Sequence, residues 1–88
     1  MFDTNAEASK AEQSQRAISC EVTDPTGTPL NVRSTPNGST IVTTLSNGRR
    51  VFPYRVSYDE QGRHWILVGD SVHPWGWVFG PYVSCFFE

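Results

Sequence analysis

From Ile18 onward the chain alternates between apolar and polar residues in short runs with a period of two. Ile18, Cys20 and Val22 alternate with Ser19, Glu21 and Thr23, and Leu30 and Val32 alternate with Asn31 and Arg33. A period of two sends successive side chains to opposite faces of an extended chain, so each run reads as a strand with one buried face. Runs rich in β-branched and aromatic residues at 40–45, 50–58, 64–68, 76–79 and 82–85 read the same way. Turn chemistry separates them: Asp24-Pro25-Thr26-Gly27, Pro36-Asn37-Gly38, Asn47-Gly48, Asp59-Glu60-Gln61-Gly62, Gly69-Asp70 and His73-Pro74. Asn-Gly supplies the positive φ angles of tight turns at little steric cost. Short strands with regular turns predict an all-β fold, a small barrel or sandwich. No window in this region carries the period of an amphipathic helix.

The first seventeen residues follow another pattern. They are Ala, Ser, Glu, Gln, Asn and Lys in the main, with Phe2 their one aromatic ring. Such a stretch buries too little surface to offset its ordering entropy. Propensity allows a weak helix over residues 6–17, but a short isolated helix is marginal in water. Residues 1–17 are therefore expected to be a linker or disordered arm, and residues 18–88 the folded unit. The arm has neither the basic start nor the apolar centre of a secretory signal, so export would rest on a leader outside this chain.

Composition narrows the function. Of 88 residues, 38% are hydrophobic, 12% aromatic and 18% charged, with a net charge of −2. Scattered Arg on a mildly acidic chain lacks the dense positive field that holds nucleic-acid phosphates. No apolar run reaches the ~18 residues of a membrane helix. The expectation is a small binding module with no nucleic-acid partner and no membrane insertion, read as a monomer. The aromatics are concentrated: ten of eleven lie between Phe52 and Phe87.

Order and spacing add a resemblance. Leu30-Asn31-Val32-Arg33-Ser34-Thr35-Pro36-Asn37-Gly38 resembles the opening motif of bacterial SH3-like domains. Val42-Thr43-Thr44-Leu45-Ser46-Asn47-Gly48 with Val51, then Trp65 with Val68, Gly76-Trp77-Val78, and Tyr82-Val83 are similar to the motifs that follow in that family. The likeness spans residues 18–85. It departs at the longer, more aromatic 70–75 segment and at the two cysteines. It implies an SH3-like β-barrel of five to seven short antiparallel strands. It also implies a non-catalytic binding role, commonly beside cell-wall hydrolases, in recognising peptidoglycan or its peptide stems. Carried over residue by residue, the groove would use Tyr54, Trp65, Trp77 and Tyr82, bordered by Pro81. The arginine at position 33 would tie a strand end to a loop.

The chain holds two cysteines, Cys20 in the first predicted strand and Cys85 in the last. In a small barrel those strands commonly neighbour each other. A disulfide there would contribute about 4 kcal/mol in the chain-entropy model and would imply an oxidising compartment, periplasmic or extracellular. The alternative is two buried free thiols. Neither the cysteines nor His64 and His73 have the close spacing that zinc requires, so no metal and no cofactor is expected. A thiol in the apolar 82–87 stretch is poorly placed for nucleophilic catalysis, and no enzyme is expected.

Trp75, Trp77 and Phe79 alternate with Gly76, Val78 and Gly80. Three large rings overfill a small core, so Val78 is the expected core residue and Trp75 and Trp77 are pushed outward. Trp65 is either their neighbour or a core residue. Exposed Trp and Tyr anchor peptides and carbohydrates, because one ring joins apolar faces to a polar tip; the same rings could instead cap the barrel ends. The expected ligand-binding residues are thus Tyr54, Trp65, Trp75, Trp77 and Tyr82, for a peptide or cell-wall glycopeptide. The alternative is a structural module that positions a neighbouring domain or another protein.

Overall fold

Each alternating run becomes a strand. The computed structural model describes residues 18–86; the expected arm at 1–17 and the last two positions lie outside the described residues. The strands are β1 (Ser19–Val22), β2 (Leu30–Arg33), β3 (Ile41–Leu45), β4 (Arg50–Tyr58), β5 (His64–Gly69), β6 (Pro74–Phe79) and β7 (Val83–Phe86). One 3-10 turn, Gly80–Tyr82, joins β6 to β7, and no α-helix occurs among the described residues.

All pairings are antiparallel and form one seven-stranded sheet in the order β3-β2-β6-β5-β4-β1-β7. Among the described residues no ladder joins β3 to β7, so the sheet has two open ends. The nine residues of β4 pair with β1 only at Arg50 and Val51, and with β5 from Phe52 to Tyr58. A bulge between Pro53 and Arg55 interrupts that second ladder.

The inward positions are small. Cys20, Val22, Val32, Val51, Val68 and Val78 are fully buried, and Leu30, Leu45 and Ile66 complete the core. Burying one such aliphatic side chain contributes roughly 1.5–3 kcal/mol. On β6 the expected division of faces holds: Gly76, Val78 and Gly80 are buried while Trp75, Trp77 and Phe79 are half-buried. Gly76 is required by close approach, since a Cβ there would lie 2.7 Å from both the Arg33 carbonyl oxygen and a Val32 methyl.

Of the boundaries that differ from the sequence pattern, those at the starts of β6 and β7 have local reasons. Strand β6 starts at Pro74, because the Asp70–His73 turn is closed by its own hydrogen bonds. The Asp70 amide donates to the His73 carbonyl at 3.2 Å, and the Asp70 carboxylate accepts from the amides of Val72 and His73 at 2.8 Å each. A proline as first residue of a strand costs no ladder bond. Tyr82, expected to open the last strand, instead belongs to the 3-10 turn that Pro81 starts, and the strand runs on to Phe86.

Cys20 and Cys85 face each other as direct partners in the β1–β7 ladder and are joined by a disulfide with an S–S distance of 2.05 Å. Cys20 belongs to the core, whereas Cys85 is exposed on an end strand.

Candidate functional site

A cleft of about 320 Å³ opens between the β1–β2 loop, the β2–β3 turn and the strand ends at Trp65 and Phe79. Its aromatic lining is Trp65, Phe79 and Tyr82. Trp65 and Phe79 are direct partners across the β5–β6 ladder, so their rings share one face. Their centroids lie 5.3 Å apart, edge to face, and Phe79 makes a second edge-to-face contact with Tyr82 at 4.9 Å. Quadrupoles favour that geometry over a sandwich.

A single carboxylate anchors this stack. Asp59 Oδ2 accepts from Trp65 Nε1 at 2.9 Å and from Arg63 Nε at 2.9 Å. Asp59 Oδ1 accepts from the amides of Gln61 and Arg63 at 2.9 and 3.0 Å. So tethered, the Arg63 guanidinium stands 5.4 Å from the centre of the Phe79 ring, within range of a cation–π contact. The Asp59 side chain is only 3% exposed. Withdrawal from water would raise its pKa, but the bonds from the Trp65 indole, from the Arg63 amide and guanidinium and from the Gln61 amide outweigh that and hold it at about 2.

The rim is polar. Asp24 Oδ1 accepts from the Thr26 amide and hydroxyl at 2.8 and 2.6 Å, which orders the β1–β2 loop and presents Thr26 and Thr28 to the cleft. Across from it, Arg33 donates from Nη1 to the Gly38 carbonyl at 2.7 Å, tying the end of β2 to its own turn. Asn37, with φ of 57°, completes that wall. Asn37 also borders a second depression, formed with Pro36, Tyr58, Asp59 and Glu60. The two together make an elongated surface.

The expected site residues are distributed unequally. Trp65, only 4% exposed, and Tyr82 line the cleft, and Phe79 joins them. Trp77 stands two ladder positions away, opposite Arg33 on one side and Leu67 on the other, and does not line the cleft. Tyr54 and Trp75 lie elsewhere, around the Asp70 turn. The Tyr54 hydroxyl donates to the Asp70 carbonyl at 2.5 Å, and partial withdrawal from water, then the Asp70 charge, push that hydroxyl above its ordinary pKa. Hydrogen bonds from the His73 and Val72 amides lead in lowering the Asp70 pKa; desolvation opposes them, and the His73 ring and the Trp75 side chain contribute less. Trp75 instead borders a shallow site with Thr43, Thr44, Leu45 and Arg49, whose guanidinium carbon sits 5.1 Å from the ring centre.

Phe79, Asp59 and Arg63 were not among the expected site residues. Phe79 was visible as the third ring of the β6 alternation. Asp59 and Arg63 appear in sequence only as the two ends of a hairpin turn, and nothing local marks a turn carboxylate as the partner of a tryptophan six residues on. Among the described residues, no group of three or more His, Cys, Asp or Glu side chains is placed to hold a metal ion, and no helix is long and apolar enough to cross a membrane. No family model, no curated protein and no solved structure matches the chain.

Proposed function

We propose that this chain is a non-catalytic binding module that holds an extended peptide or peptidoglycan-like glycopeptide in the Trp65–Phe79–Tyr82 cleft. The observation that carries the reading is the aromatic stack, set by Asp59 and Arg63 beneath a rim of hydroxyl, amide and guanidinium groups. Rings held in one orientation lose little entropy on binding, and a polar rim can satisfy a ligand's amides or hydroxyls. The elongated surface running toward Tyr58 suits a chain-like ligand better than a compact one. The reading includes an SH3-like barrel, supported by the order of the sequence motifs and by the seven-stranded antiparallel sheet around one core. It also includes an exported protein, supported by the Cys20–Cys85 disulfide, which is compatible with an oxidising extracellular or periplasmic compartment.

Titration of the chain with muropeptides and with unmodified extended peptides, followed by NMR of the backbone and indole N–H groups, tests this. The Trp65 indole and the Tyr82 amide shift while the Trp75 indole stays in place. Phe79→Ala weakens binding by about tenfold. Saturable shifts confined to Trp75, or none for any ligand, overturn the reading.

A further inference from the structure

Among the described residues, strand β4 leaves a backbone edge unpaired. The Asp59 amide donates to the Arg63 carbonyl at 3.0 Å, which makes Asp59–Arg63 a hydrogen-bonded pair at the hairpin end. Hydrogen-bonded and non-hydrogen-bonded pairs alternate along an antiparallel ladder. The register Ser57↔Trp65 and Arg55↔Leu67 continues the bonded set, and Val56↔Ile66 and Tyr58↔His64 form the other. The N–H and C=O groups of Val56 and Tyr58 therefore point away from β5. On that side β1 pairs only with Arg50 and Val51, so among the described residues nothing pairs with β4 beyond them.

Pro53 and the bulge after it protect the part of this edge nearest β1, but from Val56 to Tyr58 the side chains are unusual for an unpaired strand. Tyr54, Val56 and Tyr58 are exposed, Tyr58 at 67% and Val56 at 52%. Natural sheet edges are commonly protected by lysines, prolines or inward charges. Between Val56 and the bulge lies one charge, Arg55, which is exposed and makes no hydrogen bond or ion pair among the described residues. A strand docked here would meet apolar surface on one face and a lone guanidinium on the other.

We propose that the Val56–Tyr58 edge of β4 receives an extended segment of a partner polypeptide as an added antiparallel strand. Its alternation is apolar, polar, apolar, acidic, with the acidic residue opposite Arg55. Antiparallel addition follows the rest of the sheet and runs in line with β1. The backbone groups of Val56 and Tyr58 supply four hydrogen bonds, and Val56 and Tyr58 pack against the two apolar residues. Arg55 selects the acidic one. Strand addition of this kind draws affinity from main-chain bonds and specificity from alternate side chains. The docking edge is distinct from the Trp65–Phe79–Tyr82 cleft and meets the depression that extends it only at Tyr58.

The probe is a blocked peptide containing Ile-Thr-Val-Glu, titrated into the full chain and followed by amide NMR and hydrogen exchange. The Val56 and Tyr58 amides shift and gain protection, while the Trp65 indole does not move. N-methylation of the peptide amide facing Val56 weakens binding by about tenfold. Arg55→Glu weakens it by about two- to fivefold, and a peptide with Lys in place of Glu restores it to that variant. The restored binding also shows that the variant is folded. No binding, shifts centred on the cleft, or indifference to the charge swap overturns the proposal. Protection of the Val56 and Tyr58 amides in the free protein overturns it as well. If concentration-independent, that protection assigns the edge to this chain's own N-terminal segment; if it grows with concentration, to a second copy.

Discussion

Asp59 does the work of several residues. One carboxylate accepts two backbone amides, an indole and a guanidinium, and so links the β4–β5 turn to the cleft. Its folded pKa of about 2 lies below its ordinary 3.8, so the ionised form is preferred by the folded state. That stabilisation is complete above about pH 4 and is lost as pH falls through 2. In an acid titration the Trp65 indole N–H resonance should therefore move with a midpoint near 2. A midpoint near 4 would show that the indole bond does not form in solution. Asp59→Asn should flatten the acid limb of the stability curve and release Arg63 from Phe79, lowering stability at neutral pH. At Gly76 the constraint is steric. The Cβ of Gly76→Ala would meet backbone and a core methyl at 2.7 Å, and overpacking of that kind costs about 1–3 kcal/mol, read as a lowered urea midpoint.

At the scale of elements, β7 is an end strand, as β3 is at the other end of the sheet. Among the described residues it pairs with β1 alone, its outer two residues are exposed, and the disulfide crosses that one ladder. Cross-linking positions 65 apart removes much of the unfolded chain's freedom, worth about 4 kcal/mol in the chain-entropy model. A domain of this size has roughly 4–10 kcal/mol in total. Reduction, or Cys85→Ser, should therefore lower the melting temperature steeply and raise amide exchange first in β7 and then in β1. Uniform loss of protection across all seven strands would mean that β7 is no weaker than the rest. Strand β4 shows the opposite case: its ladder with β5 is long, and among the described residues its other edge is unpaired beyond Val51.

For the whole molecule, a single small core is shared by β1 to β6, and each buried valine is a large share of it. Val68 lies on β5, between β4 and β6, and is fully buried. Val68→Ala should cost about 2 kcal/mol. Because every strand pair leans on the same core, urea unfolding followed by tryptophan fluorescence and by circular dichroism should still coincide. Separated transitions would show that the β3–β2 end and the β1–β7 end melt apart. The cleft belongs to this scale too, since its walls come from the β1–β2 loop, the β2–β3 turn, β5, β6 and the 3-10 turn.

The alternation of apolar and polar residues by itself determined the all-β class, all seven strands to within two residues, and the division of β6 into a glycine–valine face and an aromatic face. Those features follow from a period of two and from turn residues, both local. It also brought Cys20 and Cys85 into view, although their bond depends on β1 and β7 being neighbours. Tertiary structure alone decided which rings meet. Trp65 and Tyr82 share a cleft because β5 and β6 pair in the register that sets Trp65 opposite Phe79 and because Pro81 turns Tyr82 back onto Phe79. Trp75 and Tyr54 are drawn instead to the Asp70 turn, three to four positions along the strands from that stack. Ladder register, the bulge after Pro53 and the hydrogen bonds of a buried turn carboxylate arise between segments distant in the chain or from packing around them. A periodicity shows which face a ring occupies; only the assembled sheet shows what stands beside it.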